Sequence, residues 1–158
     1  MKLEDQVCSL EAAKKLKEIG IYQESFFYWH YPVYQREDFT WEITTMHKIF
    51  YENMERCISA FTAAELLQLL PVHVDIKEEE PFNRYSMVIN RFYLYNQQEK
   101  MVPAFIVNYE CDSCETTGPD AFIKRKMIRN IYDENLANVL ANMLIYLIEE
   151  NLINERKI

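Results

Sequence analysis

The chain has 158 residues, 49% of them hydrophobic and 27% charged, and a formal net charge of −8; that is about one domain with a globular composition, far from a disordered one. The acidic balance argues against nucleic acid as a partner, because nonspecific affinity for it comes from Lys and Arg neutralising phosphates. Only two glycines are present, Gly20 and Gly118, which excludes the P-loop, the G-x-G-x-x-G dinucleotide fingerprint and the G-x-S-x-G nucleophile elbow.

The N-terminus, Met1-Lys2-Leu3-Glu4-Asp5, carries acids and has no apolar signal core, so secretion by that route is not expected. The most apolar stretch, 139–148, is interrupted by Asn142 and falls short of the roughly 20 residues needed to span a bilayer. Four cysteines are too few for a disulfide scaffold and read as thiols. The expected location is cytoplasmic, without membrane association.

Ser9 is placed to cap a helix over 10–18, with Gly20 as a left-handed terminator and Ile21 as the hydrophobic contact after it. The aromatic run 26–31 follows, with high strand preference, and Pro32 ends it. Phe39, Trp41 and Ile43 then alternate with polar residues, the period of a half-buried strand, and the two runs are expected to pair as a hairpin. From Met46 the spacing of Met46, Ile49, Phe50, Met54 and Cys57 predicts a helix over about 46–56. Thr62-Ala63-Ala64-Glu65 is a capping box for a second short helix that Pro71 stops.

Residues 86–95 and 101–110 read as two strands joined by the polar loop 96–100, with Pro103 pushing the second towards a sheet edge. Met87, Ile89, Tyr93 and Tyr95 fall on one side of the first strand, and Val88, Phe92 and Leu94 on the other. The polar segment 111–120, with Gly118-Pro119, reads as a loop. Residues 121–132 fit either a helix or a strand. The stripe Leu136, Val139, Leu140, Met143, Leu144, Leu147, Ile148 predicts an amphipathic helix closed by Asn151 in the left-handed region and by Leu152.

Three stretches also carry a resemblance: 9–25 with Phe27 and Trp29, then Ala60-Phe61-Thr62-Ala63-Ala64-Glu65-Leu66, then Met143-Leu144-Ile145-Tyr146-Leu147-Ile148-Glu149. Together they resemble a family of conserved hypothetical proteins encoded in gut bacterial genomes and in their phages or prophages. The resemblance implies a mobile-element neighbourhood and supplies no catalytic residues. The matched positions are caps and apolar stripes, as a shared fold requires.

Candidate chemistry is sparse. Cys111-Asp112-Ser113-Cys114 is a C-x-x-C, but neither a second pair nor a spaced histidine pair completes a zinc site among Cys8, Cys57, His30, His47 and His73. No metal and no cofactor are therefore expected. Glu78-Glu79-Glu80 near Asp75 reads as a solvated loop rather than a cation site. Lys124-Arg125-Lys126 with Arg129 is the one basic cluster; a helix would set Arg125 and Arg129 on one face, where they are candidates for a phosphate or an acidic partner. The dense aromatic set 26–31 with Tyr34, Phe39 and Trp41 reads chiefly as core.

The expected fold is α+β: one domain over 1–158 with a frayed tail at 153–158, mostly antiparallel strands from two hairpins, covered by a long C-terminal helix and shorter helices. The expected function is a small intracellular, non-enzymatic binding or accessory protein of a bacterial or phage mobile element. It would act through a protein partner or as a homo-oligomer, with Tyr93 and Tyr95 in the contact surface. The alternative is an enzyme using scattered carboxylate, histidine or cysteine residues; a phosphate or nucleic-acid binder through 124–129 is a weaker third reading.

Overall fold

The computed structural model describes residues 2–31, 40–45, 57–76, 83–95, 99–114 and 123–153. Helix α1 (Leu10–Glu18) begins where the Ser9 hydroxyl accepts from the Ala12 N–H at 3.3 Å. It ends where Gly20 takes φ 89° and Ile21 donates back to the Leu16 carbonyl at 3.0 Å. Such a reversal needs a left-handed residue, which glycine adopts without a Cβ penalty.

The first sheet has three antiparallel strands in the order β2-β1-β3: β1 is Phe27–His30, β2 is Glu42–Thr45 and β3 is Cys57–Ser59. Strands β1 and β2 pair as expected, Phe27 opposite Thr45 and His30 opposite Glu42. Cys57 is a correction. It ends no helical seam but lies in β3, where the second edge of β1 is open to it. The helix expected over 46–56 lies outside the described residues. Helix α2 (Ala63–Leu69) carries the predicted capping box, with Glu65 N–H donating to Thr62 Oγ1 at 3.3 Å and Thr62 N–H donating to Glu65 Oε2 at 2.7 Å. The other Glu65 oxygen accepts from the Phe26 N–H at 3.0 Å, so the cap also anchors the approach to β1.

The second sheet runs β4-β5-β6-β7, with β4 His73–Ile76, β5 Asn83–Tyr95, β6 Met101–Cys114 and β7 Ile123–Met127; β8, Ile131–Asp133, also pairs with β6. One expectation is overturned and one open choice is resolved. The segment 111–120 is not a loop throughout, since β6 continues to Cys114, paired with Ile123. Within the stretch that fitted either element, 123–127 and 131–133 are strands, because β6 offers an edge to which they pair. Two residues separate Glu110 from Val107 on β6, while three separate their partners Met127 and Ile131. That extra residue makes a β-bulge at 128–130.

Helix α3 (Leu136–Glu149) starts with Asn135 Oδ1 accepting from the Ala137 N–H at 2.8 Å. It closes with Asn151 at φ 56° and Leu152 N–H on the Leu147 carbonyl at 2.9 Å. It packs on β6, α1 and α2. One cluster of buried side chains joins Leu16 of α1, Leu66 of α2, Tyr85, Val107 and Tyr109 of the second sheet, and Leu140, Met143, Leu144 and Leu147 of α3. The buried Tyr109 hydroxyl donates to the Pro71 carbonyl, and burial pushes its pKa above the ordinary range. The chain is thus an α+β fold whose C-terminal stripe is intramolecular core. Among the described residues no helix is long and apolar enough to cross a membrane.

Two outcomes follow for stability. Leu144 is fully buried, so Leu144→Ala is expected to destabilise the monomer by about 2–5 kcal/mol in chemical denaturation; loss of a dimer with unchanged monomer stability would contradict the assignment. The Cys8 thiol is pushed up to about 12 by burial. Above the ordinary thiol range the unfolded chain loses a proton that the folded chain keeps. Stability contributed by the neutral thiol is therefore complete below about pH 9 and declines towards pH 12, by at most about 1.4 kcal/mol per pH unit. Thermal melts of Cys8→Ala across that window are expected to show a shallower alkaline loss than the parent.

Candidate functional site

The hairpin β5–β6 is paired without interruption from Ser86 opposite Glu110 to Tyr95 opposite Met101. Strand β6 has 14 residues and α3 also has 14. Fully extended, the strand is about 46 Å long, against about 21 Å for the helix. One helix therefore leaves much of the hairpin uncovered. On the helix-facing side, Tyr85, Val107 and Tyr109 are buried, and Met87 and Phe105 pack against the core. Farther out on that same side come Ile89, Arg91, Tyr93 and Tyr95, opposite Val107, Phe105, Pro103 and Met101. There Tyr93 is 57% exposed, Tyr95 74% and Met101 59%. The Arg91 guanidinium stands 5.7 Å from the Tyr93 ring centroid, a cation–π contact that orders both long side chains at the surface. On the opposite side Val88, Phe92, Val102 and Ile106 are half-buried, Leu94 is exposed, and Ala104 is enclosed by its neighbours.

The edges of this overhang differ. Strand β4 covers β5 only along Asn83–Ser86, and the Met87 N–H donates to the Val72 carbonyl. Beyond Met87 no strand pairs with the outer edge of β5 among the described residues. The outer edge of β6 carries β8 at 105–107 and β7 at 110–114. Pro103, expected to mark an edge, sits in the stretch where β6 has β5 alone as a described neighbour; it removes a donor there and discourages strand addition. Backbone pairing is therefore available on the β5 side.

The basic cluster does not form one patch. Lys124 and Arg125 lie in β7, registered with Ser113 and Asp112, whereas Arg129 lies in the bulge beyond it. They share no helix face, because no helix forms there. Arg129 stands 5.6 Å from the Tyr146 ring centroid at an open cleft of about 350 Å³, which also holds Lys15, Asn142, Tyr132 and Glu149. Lys15 is already paired with Glu149 at 2.8 Å, so the cleft has little net positive charge to offer an anion.

The remaining candidates disperse. Cys111 and Cys114 sit in one extended strand, about 10 Å apart along it, too far to bridge one metal ion through a tight turn or to form a disulfide. Among the described residues no three His, Cys, Asp or Glu groups converge as metal ligands. His73 shares a hydrogen bond with Ser86 Oγ at 3.1 Å, and Asp75 pairs with Arg84 at 2.9 Å. That pairing raises the Arg84 pKa, chiefly through the hydrogen bond. His47 and Glu78, Glu79 and Glu80 lie outside the described residues. The aromatic set is largely structural: Tyr28 is buried, Trp29 Nε1 donates to the Cys8 carbonyl at 3.1 Å, and Tyr31 and Trp41 meet at 5.5 Å. Tyr34 and Phe39 lie outside the described residues. No family model, curated protein or solved structure matches the chain.

The strand geometry of the C-x-x-C yields a direct outcome. Elemental analysis of the purified chain is expected to find no stoichiometric zinc; about one zinc per chain, lost in Cys114→Ser, would contradict that expectation.

Proposed function

We propose that the protein is a non-enzymatic binding module, an accessory protein of a bacterial or phage mobile element, that docks a protein partner on the overhanging end of β5–β6. The observation that carries this reading is the exposure of Tyr93 and Tyr95 beside a stretch of β5 whose outer edge has no paired strand among the described residues. Tyrosine, methionine and arginine are the residue types enriched at protein interfaces, and Tyr and Arg dominate their energetic centres. Here Arg91, Tyr93, Tyr95 and Met101 stand together on one side of the hairpin. The open edge adds a second element of recognition, because an extended partner segment that lengthens the sheet gains main-chain hydrogen bonds in register with side-chain contacts. The partner is therefore an extended protein segment. A nucleic-acid reading fits less well, given the division of the basic residues between β7 and the bulge and the net charge of −8.

The test compares affinity capture from host lysate by the parent chain, by Tyr93→Ala and by Ile89→Pro, followed by titration of the captured protein against each purified variant. Tyr93→Ala is expected to weaken the complex about 30-fold, the scale of a hot-spot truncation, and to leave the melting temperature within a few degrees. Ile89→Pro removes an outward-pointing donor of the β5 edge, two residues beyond the Met87 N–H that reaches Val72, and is expected to abolish binding. A pull-down in which Tyr93→Ala keeps every partner at parental affinity contradicts the reading.

A further inference from the structure

Helix α3 buries every residue from Val139 to Ile148 except Asn142 and Tyr146. Asn142, Tyr146 and Glu149 stand at i, i+4 and i+7, so they run along one face of the helix. That stripe is one wall of the open cleft beside Arg129; the bulge and the start of β8 supply the other, and Ile131 and Ile145 make part of the lining apolar. At about 350 Å³ the cleft falls within the roughly 300–1,000 Å³ of small-molecule sites. Bulges commonly re-aim a side chain beside such sites. Here the re-aimed side chain is Arg129, over Tyr146 and therefore one helical turn from Asn142.

The bulge is held from inside the fold. Asn108, only 4% exposed, donates through Nδ2 to Asn130 Oδ1 at 3.0 Å, and the Ile128 N–H donates to the Tyr109 carbonyl at 3.0 Å. With its oxygen engaged, the Asn130 amide keeps its N–H groups for the cleft. The Arg129 guanidinium is held against Tyr146 without spending an N–H donor. Among the described residues the Asn142 amide and the Tyr132 hydroxyl make no hydrogen bond, and Arg129 pairs with no carboxylate. Glu149, the acid on the lining, is taken by Lys15 at 2.8 Å. The cleft thus has donors in excess of acceptors. Lys15, Arg129 and Glu149 together leave it one net positive charge, which is too little to hold a polyanion in a chain of net charge −8 and enough to match a monoanion.

We propose that this cleft binds a small monocarboxylate with an apolar, ring-sized body. The carboxylate is the acceptor that the donors lack: the Arg129 fork takes it, and the Asn142 amide, one turn from Tyr146, donates to one of its oxygens. The apolar body lies against Ile131, Ile145 and the Tyr132 ring, the uncharged part of the lining. The Lys15–Glu149 pair keeps the acid of the cleft away from Arg129, so the guanidinium stays available to the ligand. The cleft shares no residue with the overhanging end of the hairpin and stands independently of it.

The experiment titrates the full chain with 3-phenylpropanoate and follows chemical shifts by NMR, with neutral 3-phenylpropanamide and dianionic phenyl phosphate as comparators. Saturable shifts are expected at 128–132 and 142–149, with the amide bound at least about tenfold more weakly than the carboxylate, the scale of a lost charge-assisted hydrogen bond. Arg129→Gln is expected to weaken binding about tenfold or more, and Arg129→Lys to recover part of the loss, because lysine keeps the charge and lacks the fork. Asn142→Asp, which sets a carboxylate beside the one to be bound, is expected to weaken it at least as much. Both positions are exposed, so their variants keep the fold, which thermal melts check. The proposal is overturned by the absence of saturable binding up to about 10 mM, by shifts confined to other parts of the chain, by equal affinity for the amide, by tighter binding of phenyl phosphate, or by indifference to Arg129→Gln and Asn142→Asp.

Discussion

The antiparallel pairing of β5 with β6 sets the dimensions to which the rest of the molecule adjusts. Ten consecutive residue pairs, Ser86 opposite Glu110 through Tyr95 opposite Met101, make a ribbon about one and a half times as long as the helix that packs on it. Its inner end is built into the core by Tyr85, Val107 and Tyr109. Strands β4, β7 and β8 gather at the same inner end, where β5 and β6 still have edges to offer and α3 lies across the face. Among the described residues the outer end receives none of this cover. Exposure of Tyr93, Tyr95 and Met101 is thus a consequence of length mismatch, not of a local quirk in their surroundings.

The two sheets also differ in how their faces are composed and buried. In the large sheet, apolar residues appear on both faces and burial is decided by what lies above each position. In the small sheet the faces are chemically distinct, with Trp29 and Ile58 towards the core and Tyr28, His30, Cys57 and Ser59 away from it. Burying the second group sacrifices the solvation of several polar atoms, which packing alone does not require.

How much of this was legible in the sequence depends on the range of each signal. The caps were readable because Ser9, Gly20, Thr62, Glu65 and Asn151 act within one helical turn of themselves. The long hairpin was readable from its two apolar runs and the polar loop between them. Strands β3, β4, β7 and β8 span three to five residues each, too short for periodicity to declare itself, and they exist because a longer strand presents an edge. That is why spacing alone sets Cys57 on a helical seam and leaves 121–132, with Arg125 and Arg129, open between helix and strand. Tyr93 and Tyr95 were legible as one side of a strand, but whether that side is covered depends on the reach of α3. The cleft beside Arg129 was invisible, since its lining comes from α1, α3 and the bulge with β8 and meets only in the fold. A trace of it lay in Asn142, the polar residue that interrupts the apolar stretch 139–148.

The composition of the β5 edge adds a final constraint on what the hairpin does. Natural sheets protect exposed edges with lysines, prolines, bulges or very short strands, because an unpaired row of N–H and C=O groups recruits other chains. Residues 88–95 read Val-Ile-Asn-Arg-Phe-Tyr-Leu-Tyr, with one charge, no proline and no glycine. This is a segment of high strand preference and low charge, the kind that pairs indiscriminately when left open. Protection sits instead on the neighbouring strand, where Pro103 interrupts the outer edge of β6, and in the net charge of −8, which keeps copies of the chain apart. Under the docking reading proposed above, an edge guarded by long-range repulsion and not by local blockers favours a partner segment that brings a basic flank.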